Sequence, residues 1–118
     1  MLFDTHAHLD DPQFNEDREQ VIDSLASYGV TKVTNIGADL ATSRAAVRLA
    51  ETYPFLYAAV GVHPSETTGM TDETLTELKA LAAHPKVRAI GEIGLDYHYE
   101  DANPVEQKYW LRKQLDLA

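Results

Sequence analysis

Residues 32–61 read KVTNIGADLATSRAAVRLAETYPFLYAAVG, and this stretch decides the fold class. It opens on one short apolar run, Lys32-Val33-Thr34-Asn35-Ile36, and ends on another, Leu56-Tyr57-Ala58-Ala59-Val60, each followed by glycine (Gly37, Gly61). Runs this short, rich in β-branched and aromatic residues, predict buried strands. Between them Ala46, Val47 and Ala50 fall on one helical face, with Asp39 or Thr42 as the cap and Pro54 as the stop. A strand, a helix and a strand in about 30 residues make a βαβ unit, whose strands run parallel.

The same alternation extends both ways. Upstream, Met1-Leu2-Phe3 predicts a strand, and Val21, Ile22, Leu25 and Tyr28 predict one face of a helix that Gly29 can terminate. Downstream, Leu75, Leu78, Leu81 and Ala82 predict a helix from Thr71-Asp72 to His84-Pro85, followed by a strand at Val87-Arg88-Ala89-Ile90 and then Gly91. Asn103-Pro104-Val105-Glu106 reads as an N-cap, a proline at the first helical position and an acid two positions later. The sum is βαβαβαβα, an α/β protein with a parallel sheet, either doubly wound or part of a barrel. The pattern Trp110, Leu111, Gln114, Leu115, Ala118 is still running at the last residue, so the C-terminus is expected to be artificial or processed.

Composition narrows the function classes. A chain of 118 residues makes one domain and cannot hold a complete (β/α)8 barrel, which takes roughly 250 residues. With no cysteine, a disulfide scaffold, a thiolate zinc site and a cysteine nucleophile are excluded. No apolar run approaches the ~18 residues of a membrane span, and the N-terminus lacks a signal core, so a cytoplasmic protein without a membrane partner is expected. Nineteen acids against ten bases, a net charge of -9, argue against a basic patch that binds nucleic acid through counterion release. The acids crowd between Asp4 and Asp23, where they would attract divalent cations or form a solvated helix face.

Reactive side chains of parallel α/β folds gather where the strands end. The first strand is followed by Asp4-Thr5-His6-Ala7-His8, the third by Gly61-Val62-His63-Pro64, and the fourth by Gly91-Glu92-Ile93-Gly94-Leu95-Asp96-Tyr97-His98. In an extended chain His6 and His8 point to the same side and can converge on one cation. Each ring then needs an acceptor on its other nitrogen, for which Asp4 and Asp10 are candidates. Glu92 sits between apolar residues, where a carboxylate is costly unless it pairs with a base or binds a cation. With two oxygens it can bridge two ions. His63, held extended by Pro64, is a candidate to support the site or face substrate; Asp96, Tyr97 and His98 are candidates to contact substrate. His84 reads as structural, and Arg44 and Arg48 as solvated surface.

Phe3-Asp4-Thr5-His6-Ala7-His8-Leu9-Asp10, Gly61-Val62-His63-Pro64 and Gly91-Glu92-Ile93-Gly94-Leu95-Asp96-Tyr97 resemble, in order, signatures of the TatD family. That family comprises metal-dependent hydrolases of the amidohydrolase superfamily described as deoxyribonucleases. Residues 107–118 resemble the family's helix after the fourth strand. The resemblance implies a TIM-like (β/α) barrel of which residues 1–118 are the N-terminal (βα)4 portion. It implies His6 and His8 on one divalent ion (Mg, Mn or Zn) and Glu92 bridging to a second. Two further histidines and a water-activating aspartate would come from the second half, which this sequence does not include. The implied activity is cleavage of phosphodiester bonds in DNA, with this chain by itself weakly active or inactive. Two other readings stand beside it. One is an amidohydrolase-superfamily enzyme on a non-nucleic-acid ester or amide; the other is a non-catalytic truncated half-barrel that self-associates through its exposed edges.

Overall fold

The computed structural model describes all 118 residues, Met1–Ala118. Four strands, β1 (Leu2–Ala7), β2 (Val30–Ile36), β3 (Leu56–Val60) and β4 (Val87–Ile90), alternate with four helices, α1 (Arg18–Ser24), α2 (Leu40–Thr52), α3 (Asp72–Ala82) and α4 (Pro104–Leu117). The strands form one sheet in the order β1-β2-β3-β4, and every neighbouring pair is parallel. Sequential order with a helix in each crossover is the arrangement of a (β/α) barrel. No helix is long and apolar enough to cross a membrane.

The core lies where the helices meet the sheet. Ala46, Val47 and Ala50 of α2 pack with Ala58 and Val60 of β3, Leu78 of α3 and Trp110 of α4. A second cluster joins Leu9, Ile22, Val33 and Leu56. The caps follow the chain chemistry. Asp39 and Thr42, alternative caps in the sequence, act together as a capping box on α2; Thr71 and Thr74 do the same on α3, and Asn103 accepts the Glu106 N–H on α4.

Two expectations are corrected. The first strand is not Met1–Phe3 but runs on through Asp4, Thr5 and His6 to Ala7. Its polar residues suggest a loop, yet β1 is an edge strand with exposed side chains, so its backbone can pair with β2 at no desolvation cost to them. The first helix also divides. α1 ends at Ser24 and Leu25–Tyr28 continue as a tighter 3-10 turn. Ser24 and Ser27 hydroxyls donate back to the Val21 and Ser24 carbonyls, competing with the α ladder. About three residues per turn swing Tyr28 out of the apolar stripe, and it is exposed. Gly29 does close the turn, in the left-handed conformation at φ 85°.

Candidate metal centre

The site is assembled at the ends of β1, β3 and β4. His6 lies in β1 and His8 just beyond it; their Nε2 atoms are 3.2 Å apart. Glu92 follows β4, with its N–H donating to the Gly37 carbonyl at 2.7 Å while Gly91 N–H donates to Val60. The Gly91–Glu92 peptide bond is cis. Glu92 Oε2 is 3.9 Å from His6 Nε2, and its other oxygen is 4.0 Å from His63 Nε2. One ligand atom from each of His6, His8 and Glu92 falls within 4.8 Å of the others. No lysine or arginine pairs with Glu92; its side chain is partly exposed, and the basic groups nearest to it are His6 and His63.

The tautomers follow from the partners. His8 Nδ1 is 3.1 Å from the Ile36 carbonyl oxygen, which can only accept, so Nδ1 carries the proton and Nε2 keeps its lone pair for the site. Two nitrogens about 2.0–2.1 Å from one tetrahedral ion stand about 3.3 Å apart, so the His6–His8 spacing fits a shared cation. His63 is set the other way round. Its Nδ1 accepts the Ser65 N–H at 3.0 Å, so in the neutral ring Nε2 bears the proton and faces Glu92. His63 Nε2 is therefore a donor, while His8 Nε2 is suited to ligation, with His6 Nε2 3.2 Å beside it.

The expected ring partners of the histidines are corrected. Neither Asp4 nor Asp10 reaches an imidazole. Asp4 Oδ1 accepts the backbone N–H of His6, and Asp10 accepts from Asn35 Nδ2 at 2.7 Å. Asn35 is fully buried and also accepts the Leu9 N–H at 2.6 Å, so it fastens the loop after His8 to β2. Arg18 completes that loop by donating to the Leu9, Asp10 and Asp11 carbonyls. Sequence reasoning missed Asn35, though an asparagine inside an apolar strand run signals a buried polar partner.

Asp96 uses its carboxylate to accept the His98 N–H, forming a local turn, and Tyr97 is half-exposed. A polar cleft of about 290 Å³ between residues 64–68 and 96–107 includes Asp96 but none of the three candidate ligands. Away from the site, His84 bonds Glu51 and the Lys86 N–H, and Arg44 pairs with Glu77 of α3.

Fold and site together define a parallel (βα)4 unit with imidazole and carboxylate groups converging where its strands end. The description "TatD related DNase" matches residues 3–118, and the chain belongs to the TatD family. It is 45% identical over 118 residues to the uncharacterized metal-dependent hydrolase YabD of Bacillus subtilis (strain 168), covering all of this chain and 46% of that one. It is 38% identical to the 3'-5' ssDNA/RNA exonuclease TatD of Musicola paradisiaca (strain Ech703), covering 99% of this chain and 45% of that one. The crystal structure of YJJV, a TatD homolog from Escherichia coli K12, superposes with a TM-score of 0.91 at 36% identity, covering 99% of this chain and 46% of that one. The chain spans about half the length of the curated relatives it matches, and its fold is four βα units of their TIM-like barrel.

Proposed function

We propose that residues 1–118 form the N-terminal (βα)4 portion of a metal-dependent hydrolase that cleaves phosphodiester bonds in DNA. The observation that carries this is the convergence of His6 Nε2, His8 Nε2 and a Glu92 oxygen, with the His8 proton held on the far side of its ring. When bound, a divalent cation (Mg, Mn or Zn) supplies a Lewis acid for a phosphoryl oxygen and lowers the barrier to ionising water. His6 and His8 would hold it, His8 through the lone pair on Nε2. Glu92 would hold it through the oxygen that faces His6, and its other oxygen, on the His63 side, would be the one available to a second ion. His63 Nε2–H, 4.0 Å from Glu92, would donate to a non-bridging phosphoryl oxygen, and Tyr97 offers an exposed ring to substrate. Asp96 enters through the turn that presents Tyr97. The acidic balance is consistent with cations rather than lysines meeting the phosphate. The further ligands and the water-orienting aspartate are proposed to lie outside this stretch.

Titration of the chain with Mn²⁺, followed by the loss of its free-ion EPR signal, tests the centre. One site per chain, lost in His6→Ala and Glu92→Ala, supports the proposal; binding that survives both substitutions sinks it. A panel of single-stranded DNA, a generic phosphodiester and an amide then separates nuclease from amidohydrolase chemistry. Slow or no turnover is expected of the chain alone. Robust DNA cleavage lost in both variants would instead mean that two copies complete one site.

A further inference from the structure

Two glutamines on α4 make an unusual pair of contacts. Gln114 is 1% exposed; its Oε1 accepts the Val62 N–H at 2.7 Å and its Nε2 donates to the Val62 carbonyl at 3.1 Å. Gln107, two turns earlier and 3% exposed, does the same to Asp96, with both bonds at 2.8 Å. Each amide thus satisfies both backbone groups of one residue, as a neighbouring strand would. A planar side chain with one acceptor and one donor side by side is needed for this, and carboxylates or alkyl chains of the same length do not supply it. On the preceding residue, Ser43 of α2 bonds both the N–H and the carbonyl of Gly61, each at 3.1 Å.

We infer that Gln114 and Gln107 are positioning residues: α4 fixes the chain leaving β3 at Val62 and the chain leaving β4 at Asp96, and so sets where His63 and Tyr97 stand. What those two side chains contribute rests on the function proposed above; the clamps themselves do not. A helix that served only to cover the sheet would bury apolar residues at these positions. Here it spends two fully buried amides on backbone groups adjacent to His63 and Tyr97. The effect is passed on through short local bonds. Val62 is followed by His63, whose ring accepts the Ser65 N–H, and Asp96 accepts the His98 N–H.

Amide hydrogen exchange on the 118-residue chain tests this, with Ser65 and His98 reporting the two loops and Val33 and Ala58 reporting the sheet. Gln114→Met is expected to lower Ser65 protection about tenfold and leave His98 unchanged, and Gln107→Met to do the reverse. Gln114→Glu, which keeps size and one acceptor but sets a carboxylate oxygen against the Val62 carbonyl, is expected to act in the same direction. This second variant carries the test if the first does not fold. Unchanged Ser65 and His98 protection would overturn the inference. So would an equal loss at Val33 and Ala58, which would mean general loosening. Mn²⁺ affinity should stay within about twofold in all three variants, since none touches His6, His8 or Glu92. Mn²⁺ binding that survives His6→Ala and Glu92→Ala would count against the metal centre alone and leave the exchange result standing.

Discussion

His8 donates its Nδ1 proton to the backbone carbonyl of Ile36 across 3.1 Å, so the last residue of β2 dictates which nitrogen of a β1-end histidine faces the site. A ring anchored in this way presents a lone pair without rotating, and little side-chain entropy is lost when a cation binds. His8→Ala and His6→Ala should each weaken Mn²⁺ or Zn²⁺ binding by more than the about 10–100-fold typical of losing an outer partner. Isothermal titration calorimetry measures this, and unaltered affinity in either variant would remove that residue from the centre.

Cation binding should also appear as stability. A ligand at about 100 times its dissociation constant stabilises the native state by about 2.7 kcal/mol. The Tm of the chain should therefore rise on adding cation and fall back with EDTA. Glu92→Gln, which is neutral but nearly isosteric, should reduce the rise; a rise as large as in the unaltered chain would show that the cation binds elsewhere.

Asn35 is buried between the Leu9 N–H and the Asp10 carboxylate. Asn35→Ala leaves both without their partner, at about 1–3 kcal/mol. Urea denaturation should show that loss in the midpoint without a change in slope, because the surface exposed on unfolding is nearly unchanged. Cation affinity should fall too, since the same loop follows His8.

Gly61 allows β3 and β4 to meet closely beside the site. A Cβ there would lie 2.9 Å from the Gly91 carbonyl carbon and 3.0 Å from its oxygen, and neither is a flexible side-chain end. Gly61→Ala should cost about 1–3 kcal/mol through backbone displacement. Gly91 precedes Glu92, so cation affinity should fall in the same variant. An alanine variant as stable as the parent in urea would contradict the close approach.

Glu73, in the first turn of α3, has its carboxyl pKa lowered, first by its own backbone N–H and then by the Thr71 hydroxyl. A folded-state pKa below the unfolded one contributes stability above the unfolded value, which is lost as pH falls through the folded one. Glu73→Gln should therefore lower Tm slightly near neutral pH, and the difference should vanish as pH falls through the lowered folded-state value. A Tm difference that persists in acid would assign the effect to something other than ionisation.

Much of the fold was legible because burial imposes periodicity. The β2 and β3 runs needed no tertiary knowledge, since each is short, apolar and followed by glycine; β4 lies where its run predicts, but it is not the buried strand expected, because nothing pairs with its far edge and Arg88 and Ala89 are exposed. β1 was underestimated because an edge strand can carry Asp4, Thr5 and His6 without penalty, and so gives no apolar signal. Tyr28 was misplaced because the hydrophobic pattern does not distinguish an α turn from a 3-10 turn.

The candidate ligands were readable by residue type and spacing, and His6, His8 and Glu92 do come together. Their supports were not. The His8 partner is a backbone carbonyl on another strand, and every residue has one. Gln114 looked like part of an apolar helix pattern, and its partner Val62 is 52 residues away.

The sequence by itself determined the parallel βα order, the caps and the chemical identity of the candidate ligands, because these depend on local periodicity and on which atoms a side chain carries. Only the tertiary structure decided the tautomers of His8 and His63, the clamps from α4 and the close passage at Gly61. Apart from the His63 tautomer, which its own loop sets through Ser65, each of those rests on a backbone group supplied by a distant segment, and backbone groups are the same at nearly every position until the fold selects which ones meet.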